Sequence, residues 1–158
     1  MIEKLCEVID QSRIKRNVSM SNLTTFKTGG NADMVIYPHT TEELKNVVKF
    51  FYEARLPYYV LGNGSNLLVS DDGIKKPIIC IGKEFSSVEV FDNCITARAG
   101  AFLSSIAKKA YDESLTGFEF AAGIPGTLGG ALIMNAGAYG GEMKDVVEAV
   151  SFIDPSGE

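Results

Sequence analysis

The sequence predicts an α+β fold built as two lobes, and three patterns along its 158 residues point to it. Residues 32–61 follow the order strand, capped helix, strand, which is typical of a parallel βαβ unit with a right-handed crossover. After Gly82, two short alternating segments flank a two-residue turn, which indicates an antiparallel hairpin. An amphipathic helix follows that hairpin. We therefore predict a first lobe over residues 1–82 and a second lobe over residues 83–158.

The first lobe is predicted to hold two helices and several short strands. Thr40, with Glu43 three residues later, has the spacing of a capping box, and apolar residues behind it share one helical face. The polar stretch 13–22 is expected to be a linker. The predicted elements are a helix over 2–12, strands at 32–37, 58–61, 67–69 and 78–81, and a helix whose apolar face is Leu44, Val47, Val48 and Phe51.

The second lobe is predicted to begin with a hairpin of strands 88–91 and 95–97. The helix after it has an apolar face of Leu103, Ile106, Ala107, Ala110 and Tyr111, and Gly117 is its expected stop. Residues 150–153 alternate like a strand, and 154–157 are turn residues. Because an unpaired strand edge is unfavourable, we expect the chain to be part of a longer protein, with a substrate domain beyond residue 158.

Composition and charge exclude several classes of protein. The formal net charge is −5, with 46% hydrophobic and 22% charged residues, which is a globular balance. A nucleic-acid groove needs clustered Lys and Arg, and no such run occurs. The three cysteines lack C-x-x-C spacing, so no disulfide framework or metal site is predicted. No apolar run reaches the ~18 residues of a membrane span, and we predict a cytoplasmic protein without membrane contact.

A glycine loop after the strand at 58–61 is the first candidate site. Its glycines allow several backbone N–H groups to point at one spot, which suits a pyrophosphate. A tight turn between strands explains the same glycines about equally well. A nicotinamide-dinucleotide fingerprint is not predicted, because Leu67 stands where a third glycine is needed and 67–69 resembles a strand.

The segment 117–141 is the second candidate, since it holds eight of the sixteen glycines among apolar residues with almost no charge. A flexible linker is normally polar and rich in Ser. Small apolar residues instead suit backbone that packs closely against something large and flat. A close backbone crossing in the core is the alternative interpretation.

Three motifs together resemble the UDP-N-acetylenolpyruvoylglucosamine reductases, also called UDP-N-acetylmuramate dehydrogenases. They are Leu61-Gly-Asn-Gly-Ser-Asn66, Gly123-Ile-Pro-Gly-Thr-Leu-Gly-Gly130 and Asn135-Ala-Gly-Ala-Tyr-Gly-Gly-Glu142, and Thr24-Thr-Phe-Lys-Thr-Gly-Gly30 fits the same family. The resemblance implies the two-lobed FAD-binding domain that is shared with p-cresol methylhydroxylase-like flavoenzymes. It also implies FAD as the cofactor.

The resemblance assigns expected cofactor contacts residue by residue. Those implied around the FAD pyrophosphate are Gly62, Asn63, Gly64, Ser65 and Asn66. Those implied along the cofactor are Gly123, Thr127 and Gly130, and those implied near its ribityl and ring end are Asn135, Gly137 and Ala138. Many flavoproteins of the wider superfamily attach FAD through a His near such a glycine turn. Because Asn63 occupies that region and His39 is the only histidine, we expect non-covalent FAD.

The implied reaction uses NADPH to reduce UDP-N-acetylenolpyruvoylglucosamine to UDP-N-acetylmuramate during peptidoglycan synthesis for the cell wall. The family's catalytic Ser, Arg and Glu are expected beyond residue 158, so no catalytic residue is assigned here. We therefore expect the chain alone to be inactive and to bind FAD more weakly than a full-length enzyme. Two alternatives stay open: a non-catalytic flavin- or nucleotide-binding module, and an FAD oxidoreductase acting on small hydroxy acids. The oligomeric state is not predicted.

Overall fold

The computed structural model of the chain describes residues 2–158, which divide into two units. The first unit takes in the chain up to Gly82 together with Ser151–Glu158, and the second is Lys83–Val150. Residues 151–158, which the sequence predicts to belong to the second lobe, pack within the first unit. The reason is contact with its helix: Gly157 lies against the Lys45 carbonyl, and Ile153 joins the apolar cluster beneath.

The first unit is a mixed four-stranded sheet with its main helix on one face. Its strands lie in the order β1-β2-β4-β3; β1 runs antiparallel to β2, and the β2–β4 and β4–β3 pairs are parallel. The two strands of the predicted βαβ unit, β2 and β3, are therefore separated by β4. The elements are α1 (Ile2–Leu5), β1 (Ile14–Ser19), β2 (Asn31–Ile36), α2 (Thr41–Glu53), β3 (Tyr59–Leu61) and β4 (Ile78–Cys80).

Helix α2 begins where the capping pattern predicts. The Thr40 hydroxyl oxygen accepts a hydrogen bond from the Glu43 N–H at 3.0 Å. The Glu43 carboxylate accepts from the His39 N–H at 2.6 Å, one residue before the partner of an ordinary capping box. The first bond satisfies an N–H group that the first helical turn leaves without an intrahelical partner, and the second satisfies the N–H of the residue that precedes the cap.

Residues 34–36 of β2 and 78–80 of β4 alternate between two separate apolar clusters, as the two-residue period of a strand requires. The cluster under α2 contains Leu5, Ile9, Met34, Ile36, Val47, Val48, Phe51 and Ile79. The cluster on the other face contains Met20, Ala32, Val35, Leu61, Val69, Ile78 and Cys80. Leu23, Leu67 and Val69, from the loops of the candidate site described below, pack in the second cluster.

The second unit begins with the predicted hairpin and continues through two helices into a very short hairpin. Its apolar core is built around the buried residues Ala101, Leu103, Ile106, Ala121, Ala131 and Met143. The elements are β5 (Val88–Phe91), β6 (Cys94–Ala97), α3 (Leu103–Asp112), α4 (Leu128–Met134), β7 (Gly137–Ala138) and β8 (Gly141–Glu142). Both strand pairs are antiparallel. The predicted α+β class is confirmed.

Several predicted element boundaries were wrong. The first helix stops at Leu5, and residues 67–69 and 150–153 form no strand. Helix α3 ends before Gly117, because Ser114 already takes a positive φ of 58°. Tyr111 was placed on the apolar face of α3 but is 82% exposed. Alternation over three or four residues does not distinguish a strand from an extended segment whose apolar side chains pack individually.

Candidate cofactor site

The 62–66 loop follows β3 directly and lies against the backbone of residues 23–25. Gly64 has a φ of +63°, and a Cβ built on it would stand 2.1 Å from the Leu23 carbonyl oxygen. The Gly64 carbonyl accepts a hydrogen bond from the Thr25 N–H at 3.2 Å. No side chain larger than hydrogen fits at Gly64, so the protein's own packing is enough to require this glycine.

The same close approach continues beyond the loop. A Cβ on Gly30 would stand 2.1 Å from the Asp71 carbonyl oxygen, and one on Gly73 would stand 2.0 Å from the Asn31 carbonyl oxygen. The Gly30 N–H donates to the Ser70 carbonyl at 2.9 Å. Residues 23–31 and 62–73 thus form two backbone segments in direct contact, which we call the paired-loop layer.

The 62–66 loop keeps donors that the described part of the chain does not use. None of the backbone hydrogen bonds among residues 2–158 is donated by Gly62, Gly64, Ser65 or Asn66. Ser65 is half-buried and Asn66 is exposed. Successive backbone N–H groups without protein partners are the donors from which anion-binding concavities are built, so the residues present fit a diphosphate.

Thr24 is the residue of this region that the sequence analysis did not single out. It is 6% exposed, and its hydroxyl oxygen has no hydrogen-bond partner among residues 2–158. A buried hydroxyl without a partner is rare in native proteins and calls for an explanation. The available signal was the motif Thr24-Thr-Phe-Lys-Thr-Gly-Gly30, whose two glycines lie in close contact with residues 69–73 of the paired-loop layer.

In the second unit, residues 123–130 lead into α4, where packing explains one glycine. The Gly129 N–H donates to the Ala99 carbonyl at 2.8 Å, and a Cβ on Gly129 would stand 3.0 Å from the Ala99 Cβ. The Leu128 N–H donates to the Ala101 carbonyl at 2.8 Å. These first-turn donors are already satisfied within the protein. At Gly129, therefore, the alternative of a close backbone crossing is sufficient.

Gly123 and Gly130 are different, because nothing in the described chain requires a glycine at either position. A Cβ on Gly123 would meet no atom within 4 Å, and one on Gly130 would meet only the Thr127 hydroxyl oxygen at 3.8 Å. Both residues are exposed, whereas Thr127 is 5% exposed. A helix with glycine at an exposed position is less stable than the same helix with alanine there. The presence of Gly130 in α4 therefore favours a role in function and not in stabilising the fold.

Asn135, Gly137 and Ala138 lie together around the β7–β8 hairpin. Asn135 ends α4 in the left-handed conformation, its side-chain N–H donates to the Glu142 carboxylate at 2.7 Å, and its side-chain carbonyl accepts from the Lys144 N–H at 3.0 Å. A Cβ on Gly137 would stand 2.7 Å from the Gly141 carbonyl oxygen. Asn135 and Gly137 therefore have structural reasons that need no ligand.

The Glu142 carboxylate is the electrostatic centre of this hairpin. It pairs with the Lys144 ammonium at 2.6 Å. The pKa of Glu142 is lowered, first by the hydrogen bond from Lys144 and then by the one from Asn135. The hydrogen bond to Glu142 in turn raises the pKa of Lys144. At the tip of the hairpin, Tyr139 is 97% exposed and has a φ of +54°.

The remaining expectations concern the single histidine, metal binding and membrane spans. His39 lies between β2 and α2, where its N–H is bonded to Glu43, and it is not part of the paired-loop layer. Among residues 2–158, no three His, Cys, Asp or Glu side chains are arranged to hold a metal ion. None of the described helices is long and apolar enough to span a membrane.

Comparison with known proteins gives three kinds of match. The model of a family described as an FAD binding domain matches residues 32–158. The chain is 49% identical over 154 residues to the UDP-N-acetylenolpyruvoylglucosamine reductase of Alkaliphilus oremlandii, covering 98% of this chain and 51% of that protein. A crystal structure of UDP-N-acetylenolpyruvylglucosamine reductase from Thermus caldophilus superposes with a TM-score of 0.70 at 38% identity, covering 84% of this chain and 46% of that one.

A more distant structure agrees on the fold alone. A variant of Phl p 4, a glucose dehydrogenase, superposes with a TM-score of 0.70 at 13% identity, over 99% of this chain and 36% of that one. The chain spans about half the length of the curated relatives it matches. Together these matches confirm the predicted FAD-binding fold, the family resemblance and FAD as the predicted cofactor.

Proposed function

Because the chain belongs to the FAD binding domain family, we propose that it is the FAD-binding part of a reductase of UDP-N-acetylenolpyruvoylglucosamine. The observation that carries the proposal is the family match over residues 32–158, joined to 49% identity with a protein bearing that name. The proposed reaction takes electrons from NADPH and yields UDP-N-acetylmuramate for peptidoglycan synthesis in the cytoplasm. The UDP-sugar is the proposed small-molecule partner.

The residues proposed to hold FAD fall into three groups. The 62–66 loop, with Gly62, Asn63, Gly64, Ser65 and Asn66, would bind the diphosphate, chiefly through the unused backbone N–H groups of Gly62, Gly64, Ser65 and Asn66. Two exposed glycines of the second unit, Gly123 and Gly130, would lie along the cofactor together with the buried Thr127. Asn135, at the end of α4, and Gly137 and Ala138 of β7 would lie near its ribityl and ring end.

The donor set supports a non-covalent attachment. The 62–66 loop offers N–H groups, one hydroxyl and two amides, which bind anions but form no bond to a flavin ring. When bound, FAD supplies hydride-transfer chemistry that the side chains of this protein do not have. The contribution of this chain is to bind and orient the cofactor. The groups that protonate the substrate are proposed to lie outside residues 1–158.

The rival proposal of a non-catalytic module is not favoured, because the relatives aligned with nearly the whole chain are named as reductases. No observation supports the small hydroxy-acid alternative either. The structural likeness to a glucose dehydrogenase comes at 13% identity and concerns the fold.

Two measurements test the proposal. Titration with FAD, followed by flavin fluorescence, is expected to show saturable binding, and acid precipitation is expected to release all flavin into the supernatant. NADPH oxidation by the FAD-loaded chain is then measured with and without UDP-N-acetylenolpyruvoylglucosamine. We expect no substrate-dependent oxidation. Substrate-dependent turnover would show that the catalytic groups lie within residues 1–158, and absence of flavin binding would contradict the cofactor assignment.

A further inference from the structure

The hydroxyl of Thr24 is buried without any partner, in a part of the chain that precedes the family match. The residue is 6% exposed, and no atom of residues 2–158 accepts from or donates to its hydroxyl oxygen. Removing a hydroxyl from water without replacing its hydrogen bonds is unfavourable for folding. The FAD binding domain match begins at residue 32 and assigns no role to Thr24.

The position of Thr24 ties it to the 62–66 loop. Its Cα lies 3.0 Å from the point that a Cβ on Gly64 would occupy, so no side chain separates the two backbones. The next residue, Thr25, holds the Gly64 carbonyl through its N–H at 3.2 Å. The unpartnered hydroxyl therefore sits on the residue that packs directly against the loop with unused N–H donors.

Rotation about one side-chain bond is enough to move this hydroxyl. Although the oxygen itself is buried, other atoms of Thr24 account for the remaining 6% exposure of the residue. Rotation about χ1 exchanges the positions of Oγ1 and the methyl group without moving the backbone, and threonine populates more than one such rotamer.

We propose that the Thr24 hydroxyl donates a hydrogen bond to the diphosphate held by the 62–66 loop. This inference rests on the proposed function, since it names a further ligand-binding residue of the same site. Within residues 2–158 the hydroxyl has no partner, and in the complex it is paired with a charged oxygen. Because the hydrogen bond exists only in the complex, its whole contribution appears in the affinity for the ligand.

The test compares Thr24→Val, Thr24→Ser and Thr28→Val in the 158-residue chain. Valine has the shape of threonine without the hydroxyl, serine keeps the hydroxyl, and Thr28 is an exposed threonine of the same segment. We expect FAD to bind about ten- to a hundredfold more weakly to Thr24→Val, as expected for the loss of one hydrogen bond to a charged group. The FAD affinity of Thr24→Ser is expected to stay within about threefold of that of the wild type. Thr28→Val is expected to bind FAD as tightly as the wild type.

Thermal unfolding of the FAD-free variants separates this role from a structural one. Thr24→Val is expected to unfold at the same temperature as the wild type or higher, because it removes an unsatisfied buried group. A lower unfolding temperature would mean that the hydroxyl has a partner within the fold, and equal FAD affinities would mean that it does not reach the ligand; either result overturns the inference. A wild-type chain without FAD affinity would contradict the proposed function itself, and the inference with it.

Discussion

At the scale of single residues, two glycines of the candidate site are expected to respond in opposite directions to the same substitution. Gly64→Ala would place a methyl group 2.1 Å from the Leu23 carbonyl oxygen at a φ of +63°. We expect it to lower the free energy of unfolding by about 2–5 kcal/mol, from left-handed strain and overpacking. Gly130→Ala in α4 meets only one atom, at 3.8 Å. It is expected to raise that free energy by about 0.5–1 kcal/mol.

Urea denaturation of both variants checks these values, and FAD titration of Gly130→Ala adds the functional readout. If Gly130 lies along the cofactor, its alanine variant is more stable but binds FAD more weakly, which is the trade-off expected at a functional position. Unchanged FAD affinity in a stabilised Gly130→Ala would remove Gly130 from the site. A Gly64→Ala chain as stable as the wild type would contradict the close contact in the paired-loop layer.

At the scale of elements, the sequence predicts helices and strands well where burial is one-sided and regular. Helix α2 follows its cap and its apolar face, and the β5–β6 hairpin follows its turn. Strand β1 was missed because it pairs only with β2 at the sheet edge, where three of its six residues are exposed and none is buried, so its sequence is largely polar. Helix α4 was missed because two of its seven residues are glycine, a poor helix former.

The sequence motifs of the candidate site were predictable, but the contacts that require their residues were not. The glycines of the 62–66 loop were identified from spacing, yet the contact that requires Gly64 involves Leu23, more than forty residues earlier in the chain. No local pattern encodes such a contact. Thr24 illustrates the same limit, because an unpaired hydroxyl is recognised only when burial and neighbouring atoms are known.

The β7–β8 hairpin is expected to make stability depend on acid pH. Hydrogen bonds from Lys144 and Asn135 hold the pKa of Glu142 below its ordinary value of 4.5. A carboxylate with a lowered pKa stabilises the folded state above its ordinary pKa, and the contribution is lost as the pH falls through the folded-state pKa. The contribution of Glu142 to the free energy of unfolding is therefore fully present above about pH 4.5 and declines as the pH falls below it.

The variant Glu142→Gln tests this expectation against Glu89→Gln, an exposed glutamate on β5. Unfolding free energies are measured by urea at a series of pH values. Glu142→Gln is expected to be less stable than the wild type near neutral pH and to lose less stability on acidification. The difference should shrink in high salt, because the Glu142–Lys144 pair is exposed. If the unfolding free energy of Glu142→Gln changed with pH in parallel with that of the wild type, Glu142 would be ruled out as the source of the acid-dependent loss of stability.

At the scale of the whole molecule, the division near Lys83 is readable from the change in sequence pattern, but the return of the chain to the first unit is not. Residues 151–158 were assigned to the second lobe by proximity in sequence. Their packing depends on Ile153, which joins the cluster under α2, and on Gly157, which has a φ of +91° and lies against α2. Ile153 and Gly157 each contact a segment that is distant in sequence, and no periodic pattern in the sequence predicts such contacts.

The returning segment 151–158 is expected to stabilise one unit selectively. Asp154 organises its turn by accepting from the Ser156 N–H and hydroxyl at 2.8 and 2.6 Å, so the segment meets α2 already folded. Deleting residues 151–158 removes the partial burial of Ile153, worth about 1–2 kcal/mol. Native-state hydrogen exchange is expected to quicken about tenfold in α2 and to stay unchanged in α3. Ile153→Ala should reproduce most of the effect. Equal loss of protection in both helices would mean that the segment supports the chain as a whole rather than the first unit.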